Sequence, residues 1–120
     1  MAQTRLWHVT LTVAGDSIDP AELKRALRRL AAQHGFLHSL RYADSCAEVT
    51  YWEEAGSMLD AAAMAMRLWD EHRRSADLPR WKVAGLEILE QSVIAVRSNG
   101  LRSDSGGPRL GSRTPQPVRF

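Results

Sequence analysis

The sequence predicts an α+β fold in which two helices cover one face of a four-stranded antiparallel sheet. Three observations predict it. Four stretches alternate in side-chain character at the strand period, two stretches have helical periodicity with recognisable start signals, and their order along the chain is β-α-β-β-α-β, the split βαβ pattern.

The first strand is RLWHVTLTVA, Arg5 to Ala14, with Trp7, Val9, Leu11 and Val13 on one face and Leu6, His8, Thr10 and Thr12 on the other. A helix then starts at Pro20. Asp19 precedes it as N-cap, Glu22 lies three residues after the cap, and Ile18 and Leu23 are spaced as a hydrophobic staple. Leu23, Ala26, Leu27, Leu30 and Ala31 form its buried stripe, and Gly35 is placed to end it as a left-handed cap.

Leu37 to Ala43 and Cys46 to Glu54 read as two strands joined tightly at Asp44-Ser45, a hairpin. Gly56 breaks the second of them, and Ser57 with Asp60 makes a capping pair for a second helix that runs to about Ser75. Leu78-Pro79 stops that region. The last strand runs from Trp81 to about Glu90 with Ala84, Leu86 and Ile88 on one face, and Val93 to Val96 either continues it or forms a short extra strand.

Residues 1 to 96 therefore form one domain, a size at which a single modest core is enough without metal or disulfide staples. Residues 97 to 120 are rich in Arg, Ser, Gly and Pro and are expected to be a flexible tail. Charge divides the same way. Residues 1 to 96 carry −2 and residues 97 to 120 carry +4, so the net charge of +2 is a property of the tail and the domain is mildly acidic.

Cys46 is the only cysteine, which excludes an internal disulfide and a cysteine cluster for zinc, and fits a reducing cytoplasm. The longest mostly apolar stretch, Met58 to Trp69, contains Asp60 and Arg67 and is too short to span a bilayer, so no membrane association is expected.

In the ferredoxin-like βαββαβ two-layer sandwich that this order implies, the first and third strands lie at the centre and the face away from the helices is open. Pleat parity then fixes what that face displays. Its centre holds His8, Thr10 and Thr12 beside Cys46, Glu48, Thr50 and Trp52, with Ser39 and Arg41 on one flank and Val83, Gly85 and Glu87 on the other. We take His8, Thr10, Thr12, Arg41, Glu48, Thr50 and Trp52 as candidate ligand- or partner-binding residues.

Three uses of that face compete. His8, Cys46 and Glu48 are suitable ligand types for a first-row metal, but no His-x-x-x-His or Cys-x-x-Cys spacing supports a site, and no metal or cofactor is assigned. Nucleic-acid binding would stack bases on central-strand aromatics, for which Trp52 and His8 serve, whereas Glu48 and Glu87 repel phosphate. Association with a second copy or another protein is the third use.

Two further features bear on partners. MLDAAAMAMRLW, Met58 to Trp69, is apolar almost all round: if Leu59, Ala62, Met66 and Trp69 face the sheet, Met58, Ala61, Ala65 and Leu68 are left for a second covering surface. Lys24, Arg25, Arg28 and Arg29 form a basic stripe on the first helix, either a solvated face or a contact for an anionic partner. No catalytic residue can be named, because no phosphate loop, nucleophile elbow or paired carboxylates occur, and Glu53 and Glu54 point to opposite faces of their strand. The expectation is a non-enzymatic association or regulatory domain, homodimeric or protein-binding through its open sheet face or second helix. The alternatives are a small-molecule or nucleic-acid binding module on the same face, and an enzyme of unassigned type.

Overall fold

The computed structural model describes residues 4–35, 37–93 and 115–120. The chain runs β1 (Arg5–Ala14), α1 (Pro20–Gln33), β2 (Leu37–Ala43), β3 (Cys46–Ala55), α2 (Met58–Arg73), β4 (Lys82–Glu90) and β5 (Pro117–Arg119). It is a mixed α+β fold with a five-stranded sheet in the order β4-β1-β3-β2-β5. The first four strands are antiparallel, with β1 and β3 at the centre as the split βαβ order requires.

Strand count differs from the expectation, and the reason is at the chain's far end. Pro117–Arg119 pairs in parallel with the outer edge of β2, where the sequence leads one to expect a flexible tail. A three-residue strand is too short to show alternation, so pattern alone could not find it. Residues 97–114, the rest of the expected tail, lie outside the described residues. So do residues 94–96; at residues 91–93 the chain turns helical, which ends β4 at Glu90.

Pleat parity divides the sheet as expected. Val9, Leu11 and Val13 of β1 and Ala47, Val49 and Tyr51 of β3 are fully buried, and they share one core with Leu23, Leu27 and Leu30 of α1 and Ala65, Leu68 and Trp69 of α2. Trp7 packs with Ala55 and Ala61 in a satellite cluster, and its indole N–H donates to Ala55 O at 3.1 Å. Both helices therefore lie on the odd-numbered side of β1 and β3.

Helix ends match the sequence reading at the start of α2 and depart from it at both ends of α1. At α2, Ser57 Oγ accepts from Asp60 N–H at 3.1 Å, as expected. At α1, Asp19 makes no side-chain cap bond, so Pro20 and the staple position the start without it. Nor does Gly35 act as a left-handed cap: α1 ends at an extended His34 whose N–H donates to Leu30 O at 2.9 Å.

Two apolar assignments are corrected. Helix α2 is rotated from the expected phase, so that Ala61, Ala65, Leu68 and Trp69 are its buried side, while Leu59 is 79% and Met66 49% exposed. Ala61, Ala65 and Leu68 are thus core residues and not an interface; Met58, 52% exposed, remains on the surface. Trp69 sets this phase by stacking on Trp81, with ring centroids 6.5 Å apart and planes 9° apart. In β4, a register shift opposite Thr12/Val13 brings Val83 beside Val13 on the helix side, so Val83 leaves the open face; Leu89, two residues past Glu87, stands on that face opposite His8.

Below the sheet, Trp81 also locks the β1–α1 loop. Its Nε1 donates to Asp16 O at 2.8 Å, and a Cβ on Gly15 would overlap its ring at Cδ1. The loop further bonds to the hairpin turn through Gly15 N to Ser45 O and Ile18 N to Asp44 O.

Candidate functional site

The open face is a set of cross-strand rows, because residues opposite each other in register share a side of the sheet. Its central row is Glu87, Thr10, Thr50 and Ser39, drawn from β4, β1, β3 and β2 in turn. Thr50 is 8% exposed and its hydroxyl is hydrogen-bonded to Ser39 Oγ, so this row is a structural polar seam. Gly85, Thr12, Glu48 and Arg41 form the next row towards the hairpin.

The row on the other side is chemically distinct. Leu89, His8 and Trp52 stand in register, and the His8 ring meets Trp52 edge-on with centroids 5.0 Å apart. His38 joins them at 5.9 Å from His8. Strict alternation would send His38 to the helix side; a register shift between Leu37 and Ser39 makes it the extra residue of a bulge. No sequence signal marks that bulge, which is why His38 escapes a reading by parity, whereas Leu89 follows Gly85 and Glu87 at strict alternation.

Burial governs the chemistry of this cluster. The His8 imidazole is held below its ordinary value of 6.5, first by desolvation and then by the nearby His38 charge, with Glu87 pulling the other way. This favours the neutral imidazole, which offers one ring N–H to donate and one ring nitrogen to accept. Trp52, also 8% exposed, has an indole N–H buried without a hydrogen-bond partner among the described residues. An unpaired buried donor costs roughly 1–3 kcal/mol.

The remaining candidates separate by location. Arg41 lies at the β2 edge with its guanidinium 4.8 Å from the Phe120 ring centre, engaged by the chain's own segment. Cys46 is at the far end of the open face from Trp52, beside Ala14 and Ala43. Among the described residues no group of three or more His, Cys, Asp or Glu is placed to hold a metal ion, and no helix is long and apolar enough to cross a membrane. An open depression of about 570 Å³ at the upper end of the sheet is lined by Arg5, Leu6, Glu54, Glu90 and Ser92, where Arg5 bonds Glu90 at 2.8 Å.

On α1 the basic stripe is divided in use. Arg29 Nε donates to Ala76 O at 2.7 Å and its guanidinium lies 3.9 Å from the Asp77 carboxylate, tying α1 to the turn after α2. Arg25 and Arg28 are exposed and Lys24 partly so. On α2 the surface side carries Met58, Leu59 and Met66 around the partly buried Ala62. Leu86, on the helix side of β4, is exposed as well, and β4 is the strand against which α2 packs most.

Comparison with known proteins adds a family and no activity. No curated protein matches the chain. Among solved structures, an acylphosphatase from Coxiella burnetii is similar at 16% identity with a TM-score of 0.40, over 75% of this chain and 87% of that one. A family model described as a domain of unknown function, DUF8830, matches residues 6–104, and the chain belongs to that family.

Proposed function

We propose that this is a non-catalytic association module on a ferredoxin-like scaffold, pairing with a second copy of itself through the outer flank of α2. The observation that carries the reading is the exposure of Met58, Leu59 and Met66 on a helix whose other side is already sealed into the core. Large apolar side chains gathered on one side of a small domain mark contact surfaces more often than isolated ones do. A two-fold contact requires a surface that suits itself, and a stripe of Met and Leu around Ala62 meets that requirement without charge matching. Leu86 widens the patch along the β4 side.

One helix flank is less than the roughly 800 Å² per partner of a standard interface, so the dimer is weak and concentration-dependent. The setting we propose is the cytoplasm, on the ground of the single thiol, Cys46. Sedimentation equilibrium from about 10 μM to 1 mM should show a reversible monomer–dimer equilibrium, and Leu59→Glu should shift it about tenfold or more towards monomer by burying a charge. A wild-type chain that stays monomeric at 1 mM removes the reading.

A second reading is favoured by one observation, the unpaired indole N–H of Trp52 beside a neutral His8. It makes the open face a binding site for an uncharged acceptor-bearing small molecule or an unstacked nucleobase, Glu48 and Glu87 disfavouring phosphate there. Ligand-induced shifts confined to His8, His38 and Trp52 in an NMR screen would support it; oligonucleotides that leave those signals unmoved at low salt remove the nucleobase version.

A further inference from the structure

Strand β2 has two edges, and the outer one is occupied by a piece of chain distant in sequence. Leu40, Arg41 and Tyr42 stand opposite Pro117, Val118 and Arg119, and Phe120 N–H donates to Tyr42 O at 2.8 Å. Two cation–ring contacts cross the junction in opposite directions. The Arg41 guanidinium lies over Phe120 at 4.8 Å, and the Arg119 guanidinium lies 5.6 Å from the centre of the Tyr42 ring. Each side thus supplies one cation and one aromatic ring.

We propose that the outer edge of β2 is a strand-addition site for extended peptides of the form Pro-x-Arg-aromatic carried by a partner protein, and that residues 117–120 are its resident occupant. The required chemistry follows from the contacts. Pro117 is buried at the first paired position, where a residue without an N–H is tolerated at the start of an edge strand. Val118 is 59% exposed, so the second position is not read. Arg119 and Phe120 are read by Tyr42 and Arg41 through cation–ring contacts. Main-chain pairing supplies the remaining affinity, as in other strand-addition recognition.

The resident segment is held by three paired residues, and 21 residues separate Val93 from Pro115. A tethered occupant on so short a strand competes at an effective concentration in the millimolar range and can be displaced by an equivalent peptide in trans. This edge lies across the sheet from β4, so the inference stands independently of the α2 contact.

An NMR titration of the full-length chain with the synthetic peptide of residues 115–120 tests it, read at the amides of Arg41 and Tyr42. The peptide should bind the full-length Arg119→Ala/Phe120→Ala variant at least about threefold more tightly than the wild type, because the competitor is weakened. A peptide in which the positions of Arg119 and Phe120 are both alanine should lose binding without touching the protein's own fold. Equal affinity for wild type and variant, no binding to the variant, or undiminished binding of the alanine peptide each overturns the proposal. A wild-type dimer abolished by Phe120→Ala but not by Leu59→Glu would make a second copy the donor and overturn the proposal of a partner protein.

Discussion

The two faces of the β1–β3 pair are built from alternate residues of the same strands, yet they are governed by different physics. On the helix side Val9, Leu11, Val49 and Tyr51 are fully buried among aliphatic and aromatic neighbours, and shape complementarity decides their contribution. On the open side the Thr50 and Ser39 hydroxyls bond to each other in the row that Thr10 shares, and hydrogen-bond satisfaction decides what they contribute. Adjacent positions therefore respond differently to the same kind of change.

The largest effect separates Leu11 from Thr10. Leu11→Ala should cost about 2–5 kcal/mol, since the site is walled by strand and helix side chains that cannot close over the cavity. Thr10→Ala, on a half-buried surface, should stay within about 1 kcal/mol. Urea unfolding of the two variants gives both numbers, and near-equal losses would mean that the open side is a core of its own.

Parity along β1 and β3 makes this contrast legible in the sequence, because both are long, central and regular. The start of α2 is legible for the same reason: Ser57 and Asp60 are local partners. Beyond that the sequence is silent in specific places. The α2 phase depends on Trp69 stacking against Trp81, twelve residues away in the connection to β4, and an all-round apolar helix offers no pattern by which to choose its inner side. Val83 and His38 change sides through two register shifts, each a one-residue event. Strand β5 depends wholly on a tertiary partner. At the candidate site, then, parity identifies His8, Thr10, Thr50 and Trp52 as sharing a face, while the third aromatic of the cluster and the occupant of Arg41 come from long-range contacts.

A smaller effect with opposite signs sharpens the comparison at neighbouring positions 50 and 51. The Thr50 hydroxyl is paired with Ser39, so Thr50→Val should cost about 0.5–1.5 kcal/mol. The Tyr51 hydroxyl is buried on the core side without a hydrogen-bond partner among the described residues, and burial pushes its pKa well up. Tyr51→Phe removes a desolvated group that gains nothing, and should leave stability unchanged or raise it by up to about 1 kcal/mol. A substantial loss on Tyr51→Phe would show that this hydroxyl has a partner in solution.

The smallest effect concerns pH and engages one histidine on each side. His8 on the open face and His34 at the end of α1 both titrate below the ordinary imidazole value of 6.5. Desolvation is the first cause for each, followed by a neighbouring histidine, His38 for His8 and His72 for His34. As pH falls below 6.5 the unfolded chain takes up these protons before the folded one does. The stability they leave intact is present in full above 6.5 and is lost as pH falls from there through the lowered folded values. Glu53 acts in the opposite sense: desolvation and Glu54 raise its carboxyl, so folding favours its protonated form and acidification through that raised value adds stability. The net slope mixes the two, and only variants separate them. His8→Gln and His34→Gln should each flatten the loss between pH 6.5 and 5 in urea midpoints, with Glu53→Gln steepening it. A His8→Gln profile parallel to wild type would mean that water reaches the open-face cluster freely, and that the difference between the two sides of the sheet ends at Thr50.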